Sequence, residues 1–356
     1  MITSNTSPDP NSPPDIYDLT IIGGGPAGLF AAYYAGLRQL RTKIIDSLPD
    51  LGGQLVALYP EKFIFDVPGF PKILAKDLAA NLIEQAFQHN IKPTVALSEF
   101  VQDLQAVPSD TPAPLYQITT DRTSHFTRTL LICAGSGAFS PKKLTLPNAA
   151  QFENRGIHYA VKSKAVFAGK HVLIIGGGDS AIDWSLNLQD TAASITLIHR
   201  RNIFRAHEHA VRALQATPTK ILTPYEIDSL LTDGDRLIGA ILHRTDKHEK
   251  HPLPFDVIIA QIGFNSSLGP IKNWPIGIER ASIRVNSHME TLLPGIFAAG
   301  DVTVFDGKLK LIATGFGEAV IAVNHAKQRI DPAAKLFPGH SSEMVAQAPG
   351  IEVPTA

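Results

Sequence analysis

A chain of 356 residues is long enough for two domains with separate cores, and its charged residues, 18% of the total, are sparse but spread along its length. A formal net charge of -1 and a sequence pI near 6.9 leave no long-range field for nucleic acid or a membrane surface, although a local basic cluster can still hold a small anion. No apolar stretch is long enough to span a bilayer, and the single cysteine, Cys133, rules out an intrachain disulfide.

The opening MITSNTSPDPNSPP has neither a basic segment nor an apolar core, so it reads as a disordered leader and not as a signal peptide. The end from Gly350 to Ala356 reads as equally loose, and cytoplasmic placement is the expectation. Residues 16–23, IYDLTIIG, form a short apolar run entering a glycine turn. GGGPAGLFAAYYAGLRQLR follows with helix formers and a basic end, and TKIIDS supplies another strand. The strand–helix–strand unit places Gly23, Gly25 and Gly28 in the G-x-G-x-x-G pattern. Gly23 permits the tight turn, Gly25 lets a pyrophosphate approach the backbone, and Gly28 lets the helix pack closely. Asp46 falls eighteen residues after Gly28, where an acid accepts bonds from an adenosine ribose.

SEFVQDLQAVP, LYQITTD and RTLLICAG read as short strands around a polar loop. Cys133 lies in the last of them and reads as a small buried hydrophobe, while Gly135 and Gly137 begin a connection to a second domain. There the grammar recurs: HVLIIGGGDSAIDWSLNLQD gives a strand, Gly176, Gly178 and Ala181, and SITLIHRR gives the next strand. The eighteen-residue interval now ends in His199, followed by Arg200 and Arg201, with Arg205 a further candidate. Guanidinium groups at that edge hold a 2′-phosphate, which Asp46 would repel. The first site is therefore expected to take FAD and the second NADP(H). A solvated surface pair is the alternative for Arg200 and Arg201.

RLIGAILHR and FDVIIAQIG are expected to complete the second sheet. LLPGIFAAGD, ending in Asp301, and the helical TGFGEAVIAVNHAKQRI read as a return to the first domain. The expected fold class is α/β, with two Rossmann-like dinucleotide-binding domains. Residues 1–140 and 287–356 would form a discontinuous FAD-binding domain, and 141–286 an inserted NADP(H)-binding domain.

The double fingerprint, Gly300-Asp301 and the runs GGQLVALYPEKFIFDVPGFP, HRRNIFRAHE, GFNSSLGPIKNW, DGKLKLIATGFGEA and HSS resemble the thioredoxin-reductase-like ferredoxin–NADP(+) reductases over residues 16–342. The resemblance implies a three-layer β/β/α architecture, FAD and NADP(H) as cofactors, and a homodimer. It sets Gly52, Gly53 and Gln54 at the flavin edge and stacks Tyr59 on one ring face. Asp301 then meets the ribityl–pyrophosphate region, and Ala313 and Thr314 begin a helix aimed at the flavin pyrimidine. His340 and Ser341 cap the other face across the dimer. Other readings stand beside these: Tyr59 as an anchor for the turn at Pro60, Asp301 as a structural cap, His340 as an exposed tail residue. The sequence departs from the pattern at Asp46, where glutamate is usual, at Asn202, where aspartate is usual, and in the length of its tail.

Without a second cysteine, disulfide reduction of the thioredoxin-reductase kind is excluded. The implied activity is hydride transfer between NADPH and flavin N5 with sequential one-electron transfer to ferredoxin or a similar iron–sulfur carrier. A diaphorase or quinone reductase with a small acceptor is the enzymatic alternative, and a flavin-binding regulatory protein the non-enzymatic one. Tyr59 and His340 would tune the flavin without acting as obligatory acid or base, and no metal site is expected.

Overall fold

The computed structural model describes residues 15–109 and 114–340. The first unit is built on strand β1 (Ile16–Ile22), whose aliphatic run pairs in parallel with β2 (Thr42–Asp46), Leu19 opposite Thr42 and Ile22 opposite Ile45. Between them runs helix α1 (Pro26–Leu37). Pro26 suits its first turn, where the missing N–H and fixed φ cost nothing. Small residues let α1 lie close to the sheet, with Ala31, Ala32 and Ala35 buried. A short α2 (Gln54–Ala57) and the amphipathic α3 (Ala75–Ala86) follow, the latter burying Leu78 and Leu82.

The seven-stranded sheet of this unit continues through Ser124–Ile132, a strand long enough to serve two pairings. Its later part runs parallel to β1, with Ile132 opposite Ile22, and its beginning runs antiparallel to Leu115–Thr120, with Thr127 opposite Tyr116. Val101–Val107 pairs antiparallel beyond that.

In the second unit, five parallel strands lie in the order Ile157–His158, Val257–Ala260, His171–Ile175, Ser194–Ile198, Lys220–Leu222. Such strands are covered on both faces and read as continuous apolar runs. On one face α4 (Asp179–Asn187) and α5 (Glu208–Gln215) bury Ile182, Trp184 and Leu214 against Ile174, Leu197 and Ile259. On the other, Leu173, Ile198 and Ile258 meet Leu237, Ala240, Leu242 and Leu253. Those partners come from a separate antiparallel sheet of Tyr225–Asp233, Arg236–Arg244 and Lys250–Pro254. RLIGAILHR therefore does not complete the parallel sheet as expected, whereas FDVIIAQIG does. The reason is its burial pattern: Leu237 is buried and Ile238 exposed, the pattern of a strand covered on one face only. The three layers are antiparallel sheet, parallel sheet and helices.

The chain crosses between units twice, and the crossings run side by side, Ala138–Pro141 antiparallel to Phe264–Ser267. After the second crossing Leu268, Ile271, Trp274, Ile276, Ile283 and Val285 pack in the first core. Their irregular spacing in a Gly- and Pro-containing segment gives no periodic signal to read. Ile296–Ala298 then pairs in parallel with Ser124–Ile132, and α6 (Ile312–Ile330) buries Ala319, Ala322 and Val323 against the sheet. None of the described helices is long and apolar enough to cross a membrane.

Ile258 and Ile259 are fully buried neighbours in different packing layers. Ile258→Ala and Ile259→Ala should each cost about 2–5 kcal/mol in chemical denaturation. A negligible loss at one position alone would remove that layer from the description.

Candidate functional site

The parallel strands of the first unit end around a cavity of about 330 Å³, lined by Ile22, Ile45, Asp46, Cys133, Ala299 and the turns that follow them. Gly23, Gly25, Gly53, Gln54, Tyr59, Gly135, Gly300 and Asp301 also line it. Its walls approach backbone to backbone. A Cβ on Gly28 would lie 1.9 Å from the Gly23 carbonyl oxygen, so this residue serves packing and does not itself line the cavity. A Cβ on Gly53, whose φ is +58°, would lie 2.9 Å from the Gly25 Cα. This is a cradle that side chains would fill, and it fits a pyrophosphate approaching bare backbone at the start of α1.

Asp46 is buried at the end of β2, where its Oδ2 accepts the Gly24 N–H at 2.6 Å and its Oδ1 accepts the Leu48 N–H at 2.8 Å. Burial pushes its carboxyl up, opposed by the backbone N–H groups of Leu48, Gly24 and Ser47. The acid thus braces the glycine turn as well as lining the cavity. Gly52 does not line it; its N–H is donated to the Gly24 oxygen at 2.9 Å, which ties the two turns together.

Tyr59 is half-buried, lines the cavity and packs against the cores of both units. The two residues after Pro60 join the units. Glu61 accepts the Lys164 N–H at 2.8 Å, and Lys62 pairs with Asp183 at 2.5 Å. Burial pushes the Tyr59 phenol up to about 12, with the Asp301 charge adding to the effect. The Cys133 thiol, also on the cavity wall, is pushed up chiefly by burial.

Of the expected α6 positions, Ala313 and Thr314 do not line the cavity, whereas Leu311, Ile312 and Gly315 do. The Thr314 hydroxyl is occupied at the helix start, within 2.7 Å of the Leu309 oxygen and 2.9 Å of the Leu311 oxygen. His340 is exposed, packs edge-on against Phe337 at 5.5 Å, and does not line the cavity of its own chain. Ser341 lies outside the described residues.

At the second turn a Cβ on Gly176 would meet the Gln261 oxygen at 2.4 Å and the Ala181 Cβ at 2.9 Å, which explains the small residues. Gly178 precedes α4, and no atom crowds it. His199 is buried, its ring stacked on Phe204 at 5.6 Å and closed over Gly177, where a Cβ would lie 2.4 Å from the imidazole. Burial pushes its imidazole down, and Arg205, Arg200 and Arg201 act in the same direction. The positive field therefore comes from those arginines, all exposed; the Arg200 guanidinium lies 3.9 Å from Glu226. The Arg205 N–H donates to the Gly177 oxygen at 2.7 Å, which brings the basic loop onto the glycine turn. The buried Nε2 of His199 has no hydrogen-bond partner among the described residues, and with the arginines this fits a phosphorylated nucleotide.

Two residues escaped the sequence reading. Glu318 in α6 and Lys308 before it form an ion pair whose side chains are each 5% exposed, and Glu318 Oε2 accepts the Gly300 N–H at 2.8 Å. A lone acid in the apolar run GFGEAVIAV was the available signal.

The two glycine turns, each between parallel strands and the helix that follows, define the class of a protein that binds two dinucleotides. Residues 17–326 match the family described as "Pyridine nucleotide-disulphide oxidoreductase". A "Ferredoxin--NADP reductase" of Halalkalibacterium halodurans is 51% identical over 93% of this chain and 98% of its own, and one of Geobacillus thermodenitrificans is 49% identical with the same coverage. Among solved structures, thioredoxin reductase of Lactococcus lactis has a TM-score of 0.74 at 26% identity, covering 88% of this chain and 99% of that one. The chain thus belongs to the pyridine nucleotide-disulphide oxidoreductases and, within them, to the thioredoxin-reductase-like ferredoxin–NADP reductases. It is an oxidoreductase, and FAD and NADP(H) are its cofactors.

The Tyr59 phenol gives the site a pH signature. Its folded-state value, about 12, lies above its ordinary 10.0, so its contribution to stability is complete below pH 10 and is lost as pH rises towards 12. The apoprotein should therefore destabilise more steeply over pH 10–12 than Tyr59→Phe does. Parallel denaturation curves check this; identical slopes would place Tyr59 in an ordinary aqueous environment.

Proposed function

We propose that the chain is a cytoplasmic, homodimeric flavoenzyme that passes electrons between NADP(H) and ferredoxin or a similar iron–sulfur carrier. The observation that carries this reading is the contrast between the two nucleotide turns. Asp46 is a buried acceptor at the first, while Arg200, Arg201 and Arg205 stand exposed at the second. An acid suits a ribose with free hydroxyls, and guanidinium groups suit one carrying a phosphate. The relatives half-identical over nearly the whole chain support the same reading.

FAD is held by the turn Gly23–Gly28, with Asp46 at its ribose and Asp301 near its ribityl–pyrophosphate region. Gly52, Gly53 and Gln54 set the flavin edge, and the positive end of α6 at Ala313 and Thr314 favours negative charge there. Bound so, FAD supplies the junction between hydride exchange at N5 and one-electron delivery. The protein's own part is positioning: Tyr59 stacks and excludes water, and Gly176, Gly178, Ala181 and the buried His199 shape the turn that receives NADP(H). No side chain acts as nucleophile or obligatory acid–base group. With one cysteine in the chain, and that thiol held protonated by burial, dithiol exchange has no place. His340 and Ser341 cap the second flavin of a homodimer; the exposed apolar Leu336 and Phe337 just before them support a contact with another chain.

Arg200→Ala or Arg201→Ala should weaken NADPH binding by about 1.5–3 kcal/mol and leave NADH almost unaffected, since only NADPH carries the 2′-phosphate. Titration of both nucleotides reads this, and equal losses would take the arginines away from phosphate recognition. The function itself is tested by supplying NADPH and comparing reduction of ferredoxin-type iron–sulfur proteins with that of quinones and dyes. Efficient turnover with the iron–sulfur carriers is the expected result. Turnover confined to small acceptors would replace this reading with that of a diaphorase.

A further inference from the structure

We propose that Glu318 is a positioning residue for the flavin nucleotide, fixing the Gly300–Asp301 turn from behind while Lys308 supplies its countercharge. The inference rests on the reading that Asp301 faces FAD, and deepens it by naming what holds Asp301 in place.

Gly300 has φ +84°, a left-handed conformation open to glycine without steric cost, and its surroundings fix it there. Two of its sides are closed by contact: a Cβ on Gly300 would lie 3.2 Å from the Ala27 Cβ, and one on Gly315 would lie 3.3 Å from the Gly300 Cα. Its N–H is satisfied by Glu318 Oε2 at 2.8 Å. The Thr303 hydroxyl lies 3.2 Å from that same oxygen and 2.9 Å from the Gly300 carbonyl, so Thr303 bridges both ends of the link. Glu318 Oε1 is taken by the Lys308 ammonium. With both side chains 5% exposed, the two Glu318 oxygens and the Lys308 nitrogen each have a partner inside the protein.

The pair stands behind the cavity wall. Gly300, Asp301 and Gly315 line the cavity, while Glu318 and Lys308 do not. The Glu318 charge nevertheless reaches that wall, since after burial it is the second cause holding up the Cys133 thiol. A pair serving helix stability alone would have no reason to spend a buried carboxylate oxygen on the one amide that precedes Asp301. An acceptor is required at that point, and a charged one is tolerated because Lys308 neutralises it.

The roles of acceptor and charge can be separated by measuring FAD release from holoprotein, through flavin fluorescence on dilution. K308M/E318Q retains an acceptor for Gly300 and removes both charges; FAD affinity should stay within about threefold of wild type. K308M/E318L removes acceptor and charges together, and affinity should fall by about tenfold or more. Binding of NADP(+) should be the same in both, which a general loss of structure would not allow. Wild-type FAD affinity in K308M/E318L would overturn the proposal. Should that variant not fold, E318D, which withdraws the carboxylate by one methylene while keeping the pair, decides the same point: unchanged affinity overturns it and weakened affinity supports it. Asp301→Asn is the reference. If it also leaves FAD affinity unchanged, the assignment of Asp301 has failed; if it weakens FAD while K308M/E318L does not, the Glu318 inference alone has failed.

Discussion

Gly28 has no space for a side chain, because the first turn of α1 rests on the carbonyl of Gly23, the residue after β1. Much of the cavity depends on that contact between backbones. It brings the helix N-terminus to the end of the sheet, where free N–H groups and the helix dipole favour an anion. The same kind of contact recurs where Gly53 meets Gly25 and where Gly315 meets Gly300. Segments far apart in sequence are thereby held at one rim, with a cavity left between them. Asp46 secures the arrangement by accepting N–H groups from the turn on one side and from Leu48 on the other.

The two nucleotide turns have the same backbone plan but opposite electrostatics, and the difference lies in solvent exposure as much as in residue type. Asp46 is buried and hydrogen-bonded, so its oxygens are fixed in direction. Arg200, Arg201 and Arg205 remain in water, where long side chains keep their reach and their charge costs little. His199 occupies the position equivalent to Asp46 but is used differently. It is buried against Gly177 and Phe204, and burial favours its neutral form. Its task is to shape the turn beneath the arginines.

Both glycine turns, their flanking strands and the charge contrast were legible in the sequence because each depends on residues adjacent in the chain. Ile16–Ile22, Thr42–Asp46, His171–Ile175 and Ser194–Ile198 stand where the apolar runs predict them. What was not legible depends on neighbours in space. RLIGAILHR has the composition of a sheet strand, but only its one-sided burial tells which sheet, and that needs the facing layer. Leu268 to Val285 returns to the first core through irregular turns, with no period for a pattern to catch. The Glu318–Gly300 bond joins a helix to a turn across an intervening loop, so nothing local announces it.

Tyr59 occupies the seam between the units, and the residues that follow it explain how it stays there. Leu55 of α2 is buried in the first core, while Glu61 and Lys62 take hold of the second unit through Lys164 and Asp183. The ring is thus fixed from both sides by one short stretch of chain, GGQLVALYPEK. A side chain anchored to a single unit could stack on a flavin, but its position would say nothing to the other unit. Anchored to both, Tyr59 couples the wall of the cavity to the placement of the unit that carries the arginines. Transfer between two bound nucleotides requires their reacting atoms to lie about 3–3.5 Å apart, held to within about 0.5 Å, and that demand falls on the seam more than on either turn.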